Sequence, residues 1–147
     1  ASLERIGMQI QPVMVRRMAD QKATIYVRID TFAGPPVGSA LKKLIKSEVQ
    51  NNAPNPVNFG AGHKESILLD LRGNSGGRLV QAKEAAAVLS DLARSGTVIA
   101  LVDENTASAA EALVVQLRDF ARAGRLERVL IVSSDGSART FGKGSAQ

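Results

Sequence analysis

Ser108 and Lys143 are the two side chains with which this sequence could carry out covalent chemistry. The 147 residues contain no cysteine and one histidine, which leaves no thiolate nucleophile and no set of histidine ligands for a metal. A serine nucleophile needs a base, and His63 lies in a glycine-rich loop that suits a solvated side chain better than a catalytic one. Lysine is the remaining residue type that serves as a base at neutral pH, as in Ser-Lys variants of the catalytic triad.

Ser108 lies where a buried strand is expected to end and a buried helix to begin. There the unpaired N–H of Ala109 would point at whatever Ser108 attacks, and the small neighbouring residues leave room for a substrate. Ser108 and Glu111 also have the Ser-x-x-Glu spacing of a capping box, which satisfies N–H groups at a helix start. This segment alone leaves the nucleophile and the helix cap as equal alternatives.

A glycine-rich segment, Asp70–Gly77, stands between a predicted strand and the next predicted helix. Its glycines allow a sharp turn with N–H groups directed at a ligand, and the helix start that follows favours an anion. One interpretation is a hole for an oxyanion or a carboxylate, and the other is a tight turn that binds nothing. The segment lacks the Gly-Lys-Ser/Thr ending of a phosphate-binding loop.

A third segment, Thr140–Gln147, holds Lys143 between two glycines. A buried lysine can be a neutral amine near pH 7, because burial disfavours the ammonium form, and it could then take a proton from Ser108. The alternative is a surface turn with a solvated lysine, which is the usual state of that residue.

Alternating strand and helix patterns are expected to position these segments. Continuous apolar runs, which are typical of parallel strands that helices bury on both faces, occur at Ile67–Leu69, Val98–Val102 and Val129–Val132. The pattern is completed by an extended segment at 8–16, a strand at 23–30 and helices at 37–49, 79–94 and 106–122. This order predicts an α/β fold, a layered parallel-sheet domain with flanking helices. Ligands bind at the carboxyl ends of such strands, so the three segments should meet at one edge of the sheet.

Composition argues for a globular domain without a nucleic-acid partner. Apolar residues make up 44% of the chain, and 19 Lys and Arg against 14 Asp and Glu give a net charge of +5. The basic residues are scattered rather than clustered with aromatics, so a solvated basic surface is expected and nucleic-acid binding is not. No apolar run approaches the length of a membrane span. We expect no cofactor and no metal, and membrane association and oligomeric state stay open.

Taken together, the three segments resemble the motifs of the C-terminal processing (tail-specific) proteases. That family carries Leu-Asp-Leu-Arg-x-Asn-x-Gly-Gly, matched by Leu69–Gly77, and Thr-Ala-Ser-Ala-Ser-Glu, matched by Thr106–Glu111 with Ala110 in place of the second serine. Its Thr-Phe-Gly-Lys-Gly-x-x-Gln motif is matched by Thr140–Gln147. The motifs occur in the family's order, and the resemblance covers residues 23–147.

The resemblance implies a ClpP/crotonase-like core and a serine peptidase that cleaves polypeptides near their C-termini. By position, Ser108 corresponds to the nucleophile, Lys143 to its general base and Gln147 to a residue that orients the lysine. The family usually works outside the cytoplasm, in the periplasm, a lumen or the cell envelope, and the same location is implied for this chain.

The resemblance also implies an oxyanion hole made of backbone N–H groups. Ala109 corresponds to one donor, and Gly76 or Gly77 to the other. Supporting positions, which the resemblance places around the reacting groups, are Glu111, Asp119 and Thr140.

Two departures from the family pattern stand out. A PDZ domain usually precedes the core, whereas residues 1–22 read as an extended segment or linker before a core at 23–147, so we expect an excerpt in which that domain is absent. Ser108 and Lys143 are 143 − 108 = 35 residues apart, which is longer than usual in the family, with extra residues at 125–128 and 133–139.

The alternative to a peptidase is a non-catalytic module on the same fold that holds a peptide or an apolar ligand, as retinoid-binding relatives do. A third interpretation is a crotonase-like acyl-CoA enzyme, which builds oxyanion holes from backbone N–H groups but does not need a serine and a lysine together. A function indifferent to Ser108→Ala would separate the binding module from the peptidase.

Overall fold

The residues that the structure describes form a six-stranded sheet, with its strands in the order of the chain, at the centre of the fold. The computed structural model describes residues 12–18, 24–51, 66–93 and 96–144. The strands are β1 (Val13–Arg17), β2 (Thr24–Ile29), β3 (Ser66–Asp70), β4 (Thr97–Val102), β5 (Arg128–Ser133) and β6 (Ala138–Gly142). The helices are α1 (Val37–Asn51), α2 (Leu79–Ala93) and α3 (Ala109–Arg122).

The four central strands, β2 to β5, are parallel, and a helix joins each of them to the next. Crossovers between parallel strands are almost always right-handed, so strands added in one direction place all their helices on the same face. The contacts agree, because α1 packs against α2 and α2 packs against α3. β1 and β6 complete the two edges of the sheet by antiparallel pairing.

The central strands β2, β3 and β4 bury one face more completely than the other. On β2, Ile25, Val27 and Ile29 are at most 2% exposed, whereas Tyr26 between them is half-buried. The same alternation occurs on β4. The prediction that helices bury both faces is therefore wrong for the described residues, because their three helices form a single layer.

Helices α1 and α2 pack closely at the start of α1. Gln81 on α2 is 4% exposed and accepts the N–H of Val37 at 2.8 Å, which satisfies one of the donors that a helix start leaves unpaired. A Cβ at Gly38 would lie 3.3 Å from the Cβ of Glu84, so glycine allows the two helices to approach. None of the described helices is long and apolar enough to cross a membrane.

The α/β fold class predicted from the sequence is confirmed, with one strand that the sequence pattern does not predict. That strand is β6, in which Phe141 is buried and Ala138, Arg139 and Thr140 are exposed. With one buried apolar side chain, its five residues lack the alternation that marks a strand.

A tight turn after β5 explains the position of β6. Asp135 accepts the N–H of Ser137 at 2.9 Å and its hydroxyl at 2.7 Å, and Gly136 has a φ of 88°. The chain therefore returns along β5, and Gly142 pairs with Arg128 at the amino edge of the parallel strands. The prediction that the lysine segment lies at the carboxyl edge is wrong, because residues 133–139, noted as extra in the sequence, turn the chain back along β5.

Candidate active site

Ser108 has an unusual backbone conformation immediately before α3. Its φ is 56° and its ψ is −121°, and it is the one non-glycine residue with a positive φ in the described part of the chain. The carbonyl of Ala107 accepts the N–H of Ala110 at 3.1 Å, which closes a turn with Ser108 as its first central residue. These angles are those of a type II′ turn, in which glycine usually takes this position.

Helix capping does not explain that conformation. The capping-box spacing is confirmed, because the carboxylate of Glu111 accepts the N–H of Ser108 at 3.0 Å. An ordinary N-cap residue, however, has β-region angles, and a non-glycine residue at such positive φ costs about 1–3 kcal/mol. The side chain of Ser108 is exposed. The strained turn therefore presents a serine to solvent at the carboxyl edge of the sheet.

Gly76 lies directly against Ser108. A Cβ at Gly76 would stand 2.7 Å from the Cβ of Ser108, 2.9 Å from the carbonyl oxygen of Ala107 and 2.9 Å from the nitrogen of Ala109. Its φ of 110° is also one that other residues rarely adopt. Glycine is therefore required at this position, and the space that a side chain would fill adjoins the serine.

Two backbone N–H groups, one next to Ser108 in the chain and one next to Gly76, have no hydrogen-bond acceptor among the described residues. One is that of Ala109, in the first turn of α3, and the other is that of Gly77. The N–H of Gly76 is not available, since it donates to the side-chain oxygen of Asn74 at 2.9 Å. Of the two glycines that the resemblance suggested, Gly77 is the one with an unpaired donor.

Contacts with the loop after β2 fix the position of Gly77. The carbonyl of Gly76 accepts the N–H of Phe32 at 2.8 Å, and Arg78 donates its N–H to the carbonyl of Phe32 at 3.1 Å. A Cβ at Gly77 would lie 2.2 Å from the carbonyl carbon of Phe32, so the two backbones are in direct contact. The glycine-rich segment is thus held between β2 and Ser108.

Asp103 and Thr106, for which the sequence predicts no role, join the two loops of the site. The carboxylate of Asp103 accepts the N–H of Gly73 at 3.0 Å, and the hydroxyl of Thr106 donates to the carbonyl of Leu71 at 2.8 Å. The bond from Gly73 is the main reason that the pKa of Asp103 lies below its usual value. An aspartate and a threonine three residues apart after a strand are a weak signal for a turn. That signal does not indicate that the two residues bind the glycine-rich segment.

An ion pair between buried Asp70 and exposed Arg72 lies at the end of β3, where the glycine-rich segment begins. Asp70 is 3% exposed and accepts two hydrogen bonds of 2.9 Å from the guanidinium of Arg72 and one of 2.6 Å from the hydroxyl of Tyr26. The Arg72 hydrogen bonds are the main reason that the pKa of Asp70 falls to about 2. Burial, together with the hydrogen bond to Asp70, raises the pKa of Tyr26.

The structure does not bring Lys143 and Ser108 together. Lys143 is exposed in the turn after β6, where its aliphatic chain lies against Gly124, and the N–H of Gly144 donates to the carbonyl of Arg122 at 3.1 Å. Ser108 is at the other end of α3, a helix of 14 residues, which at 1.5 Å per residue is about 21 Å long. The described arrangement is thus the solvated surface turn, in which the negative end of the helix dipole favours a cation.

The supporting residues that the resemblance suggested are dispersed. Glu111 contacts Ser108, as described above. Asp119 lies about three helical turns from Ser108 along α3, where it is exposed and pairs with Arg118 at 3.4 Å. Thr140 is exposed on β6 opposite Leu130, and Gln147 lies outside the described residues.

A pocket of about 300 Å³ opens beside the first turns of α3. Apolar side chains from β4, β5 and α3 form most of its wall. The polar lining residues, Asp103, Thr106 and Glu111, lie at the end nearest the loop that carries Ser108. The lining residues of the pocket are Val102, Asp103, Thr106, Glu111, Val114, Val115 and Ile131. No group of three or more potential metal ligands occurs among the residues that the structure describes.

Two solved structures of peptidases have a fold similar to that of this chain. The photosystem II D1 C-terminal processing protease matches with a TM-score of 0.53 and 20% identity, over 92% of this chain and 43% of its own. The fold is similar to that of a C-terminal processing protease. A candidate peptidase from Parabacteroides merdae matches with a TM-score of 0.54 and 13% identity, over 95% of this chain and 54% of its own. No family model and no curated protein matches the sequence.

Proposed function

We propose that this chain is the core of a serine peptidase of the C-terminal processing type, which hydrolyses peptide bonds near the C-terminus of a polypeptide. The observation that carries the proposal is Ser108 on a strained turn, next to the unpaired N–H of Ala109 and against Gly76, which precedes the unpaired N–H of Gly77. The likeness of the fold to two peptidase structures supports it. A location outside the cytoplasm stays a prediction from the family resemblance.

In the proposed reaction the hydroxyl oxygen of Ser108 attacks the scissile carbonyl and forms an acyl-enzyme. The N–H groups of Ala109 and Gly77 donate to the oxyanion of the tetrahedral intermediate, each contributing on the order of 3 kcal/mol to its stabilisation. The base that takes the serine proton protonates the leaving amine, and water then releases the acyl group with the same base.

Lys143 is proposed as that base, and the proposal requires β6 to leave the sheet. Lys143 follows Ser133, at the carboxyl end of β5, by 143 − 133 = 10 residues, which span up to about 33 Å when extended. That length is sufficient to carry the amine back to the carboxyl edge of the sheet, where Ser108 lies. The neutral amine of Lys143 would then take the proton of the Ser108 hydroxyl, as in Ser-Lys variants of the catalytic triad.

The proposed movement would undock β6 from β5, with which it pairs over five residues. β6 is an edge strand, and three of its five residues are exposed. Its buried residue, Phe141, packs under the guanidinium of Arg122, which lies 5.4 Å from the ring centroid. Two buried nitrogens of that guanidinium, Nε and Nη2, have no acceptor in the described part of the chain. Buried donors without acceptors cost about 1–3 kcal/mol each, so the docked hairpin is not optimally stabilised.

The second candidate is a non-catalytic module that binds a peptide or an apolar ligand. Two observations favour it, namely the separation of Ser108 from Lys143 and the largely apolar pocket beside α3. A module of this kind would retain its ligand after Ser108→Ala, because the serine hydroxyl is not part of the pocket wall.

The deciding experiment measures cleavage of casein by the parent chain, Ser108→Ala and Lys143→Ala, with labelling of the protein by a fluorophosphonate. We expect labelling of Ser108 in the parent, cleavage that both substitutions abolish, and no labelling of Ser108→Ala. Cleavage that survives Lys143→Ala would overturn the base assignment alone. A parent that neither cleaves nor is labelled would overturn the peptidase and favour the binding module.

A further inference from the structure

We infer that Asn74 is a positioning residue that holds the proposed oxyanion donors in place beside Ser108. The inference rests on the proposed function, because it concerns the same site. Asn74 is completely buried, unlike the exposed Ser75 that follows it. A buried amide must find partners for its donors and acceptors, and the partners of Asn74 define three sides of the site.

The side chain of Asn74 connects the end of β2 with the glycine-rich segment. Its amide nitrogen donates to the carbonyl of Ile29 at 2.9 Å, and its amide oxygen accepts the N–H of Gly76 at 2.9 Å. The second bond closes a local turn from residue 74 to residue 76, of the kind that asparagine favours. This turn engages the N–H of Gly76 and leaves the next one, that of Gly77, without an acceptor.

The main chain of Asn74 connects the same segment with the serine loop. Its carbonyl accepts the N–H of Ala107 at 3.1 Å, and its N–H donates to the carbonyl of Leu71 at 3.1 Å. Ala107 immediately precedes Ser108 and opens its strained turn. Asn74 therefore links both donor-bearing segments. Its carbonyl holds Ala107, two residues before the N–H of Ala109, and its side-chain oxygen holds Gly76, one residue before the N–H of Gly77.

Oxyanion stabilisation is sensitive to such positioning. A misplacement of about 1 Å can cost on the order of 100-fold in rate, since the donors must meet charge that develops only in the transition state. Asn74 touches neither substrate nor reacting atoms in this arrangement, so its removal should alter the transition state through Gly76 and Ala107. A loss of that kind lowers kcat and leaves KM nearly unchanged.

The test compares Asn74→Ala and Asn74→Ser with Gln81→Ala as a matched control. Gln81 is also a buried amide whose oxygen accepts a backbone N–H, but it does so at the start of α1. For each folded variant, kcat and KM are measured on a fluorogenic peptide, with the affinity for a peptide boronic acid that forms a tetrahedral adduct with Ser108. Asn74→Ser keeps a short acceptor that can reach the N–H two residues on, and it provides a second variant should the alanine variant not fold.

We expect Asn74→Ala to lower kcat on the order of 100-fold, with a parallel loss of boronate affinity and a KM within about twofold. Asn74→Ser should fall between this variant and the parent, and Gln81→Ala should match the parent in kcat. An active parent in which the Asn74 variants and Gln81→Ala have equal kcat overturns this inference alone. A parent that forms no boronate adduct overturns the proposed function and this inference with it.

Discussion

Ser108 and Lys143 lie at opposite ends of helix α3. Ser108 stands at its N-terminus, and Lys143 lies against Gly124 just beyond its C-terminus. Peptide hydrolysis by this pair therefore requires two arrangements of the segment after β5, one with β6 paired in the sheet and one with Lys143 at the serine. The observed hairpin is the arrangement in which the proposed base is withdrawn.

Locking β6 to β5 should abolish cleavage. Leu130 and Thr140 are directly paired, at a Cα separation that a disulfide can span, and the chain has no other cysteine to interfere. We expect Leu130→Cys/Thr140→Cys to lose casein cleavage when oxidised and to regain it on reduction, because only the reduced hairpin can release Lys143. Full cleavage by the oxidised protein would show that Lys143 does not need to move.

A second disulfide provides the control for that experiment. Met14 and Arg28 are paired across β1 and β2, both are exposed, and they lie at the opposite edge of the sheet. The oxidised Met14→Cys/Arg28→Cys protein should cleave casein at the parent's rate. A loss in both locked proteins would point to general rigidity rather than to release of β6.

Gly76→Ala should lower the proposed peptide cleavage far more than Gly73→Ala. Both glycines have positive φ, 110° and 79°, so both substitutions bring backbone strain of about 1 kcal/mol or more. A Cβ at Gly73 meets nothing within 4 Å, whereas one at Gly76 would stand 2.7 Å from Ser108. We expect a loss of at least about 100-fold in kcat/KM for Gly76→Ala and less than about threefold for Gly73→Ala. Equal losses in peptide cleavage would place the oxyanion space elsewhere.

The sequence predicts a strand or a helix wherever apolar residues recur at the spacing that places them on one buried face. Ile25, Val27 and Ile29 alternate with polar neighbours, and β2 lies where that alternation predicts it. β6 has no such signal, since Phe141 is its one buried side chain and the turn chemistry of Asp135 and Gly136 decides its direction. The direction of β6 decides in turn where Lys143 lies.

The sequence predicts some of the residues that belong to the site, but it does not predict the long-range hydrogen bonds that join them. The glycines and Ser108 can be selected from composition and spacing, because sharp turns and helix starts have local rules. Asn74 cannot, since its amide partner Ile29 is 45 residues away in sequence. Long-range hydrogen bonds of this kind follow from the register of β2 against β3, which local patterns do not specify.

Asp70 should make the fold sensitive to strong acid. Its pKa is lowered from 3.8 to about 2, so the ionised form stabilises the folded state above pH 3.8, and this contribution is lost as the pH falls through 2. Between pH 7 and pH 2, protonation of Asp70 should lower the free energy of unfolding by about 2 kcal/mol. Urea titrations at pH 7 and pH 2 should show this extra loss in the parent and not in Asp70→Asn. Asp91→Asn, at an exposed position on α2, should behave as the parent.

If Ser108 is strained, replacing it with glycine should give a more stable protein than replacing it with alanine. Ser108→Gly and Ser108→Ala both remove the hydroxyl and both keep the N–H that donates to Glu111, so their difference isolates the backbone conformation. At a φ of 56° and a ψ of −121°, glycine is relaxed and alanine is not. We expect Ser108→Gly to be more stable than Ser108→Ala by about 1 kcal/mol or more in urea unfolding, with neither variant cleaving peptide. Equal stability of the two would mean that the turn at Ser108 is not strained in solution, and the geometric argument for a nucleophile would lose its main support.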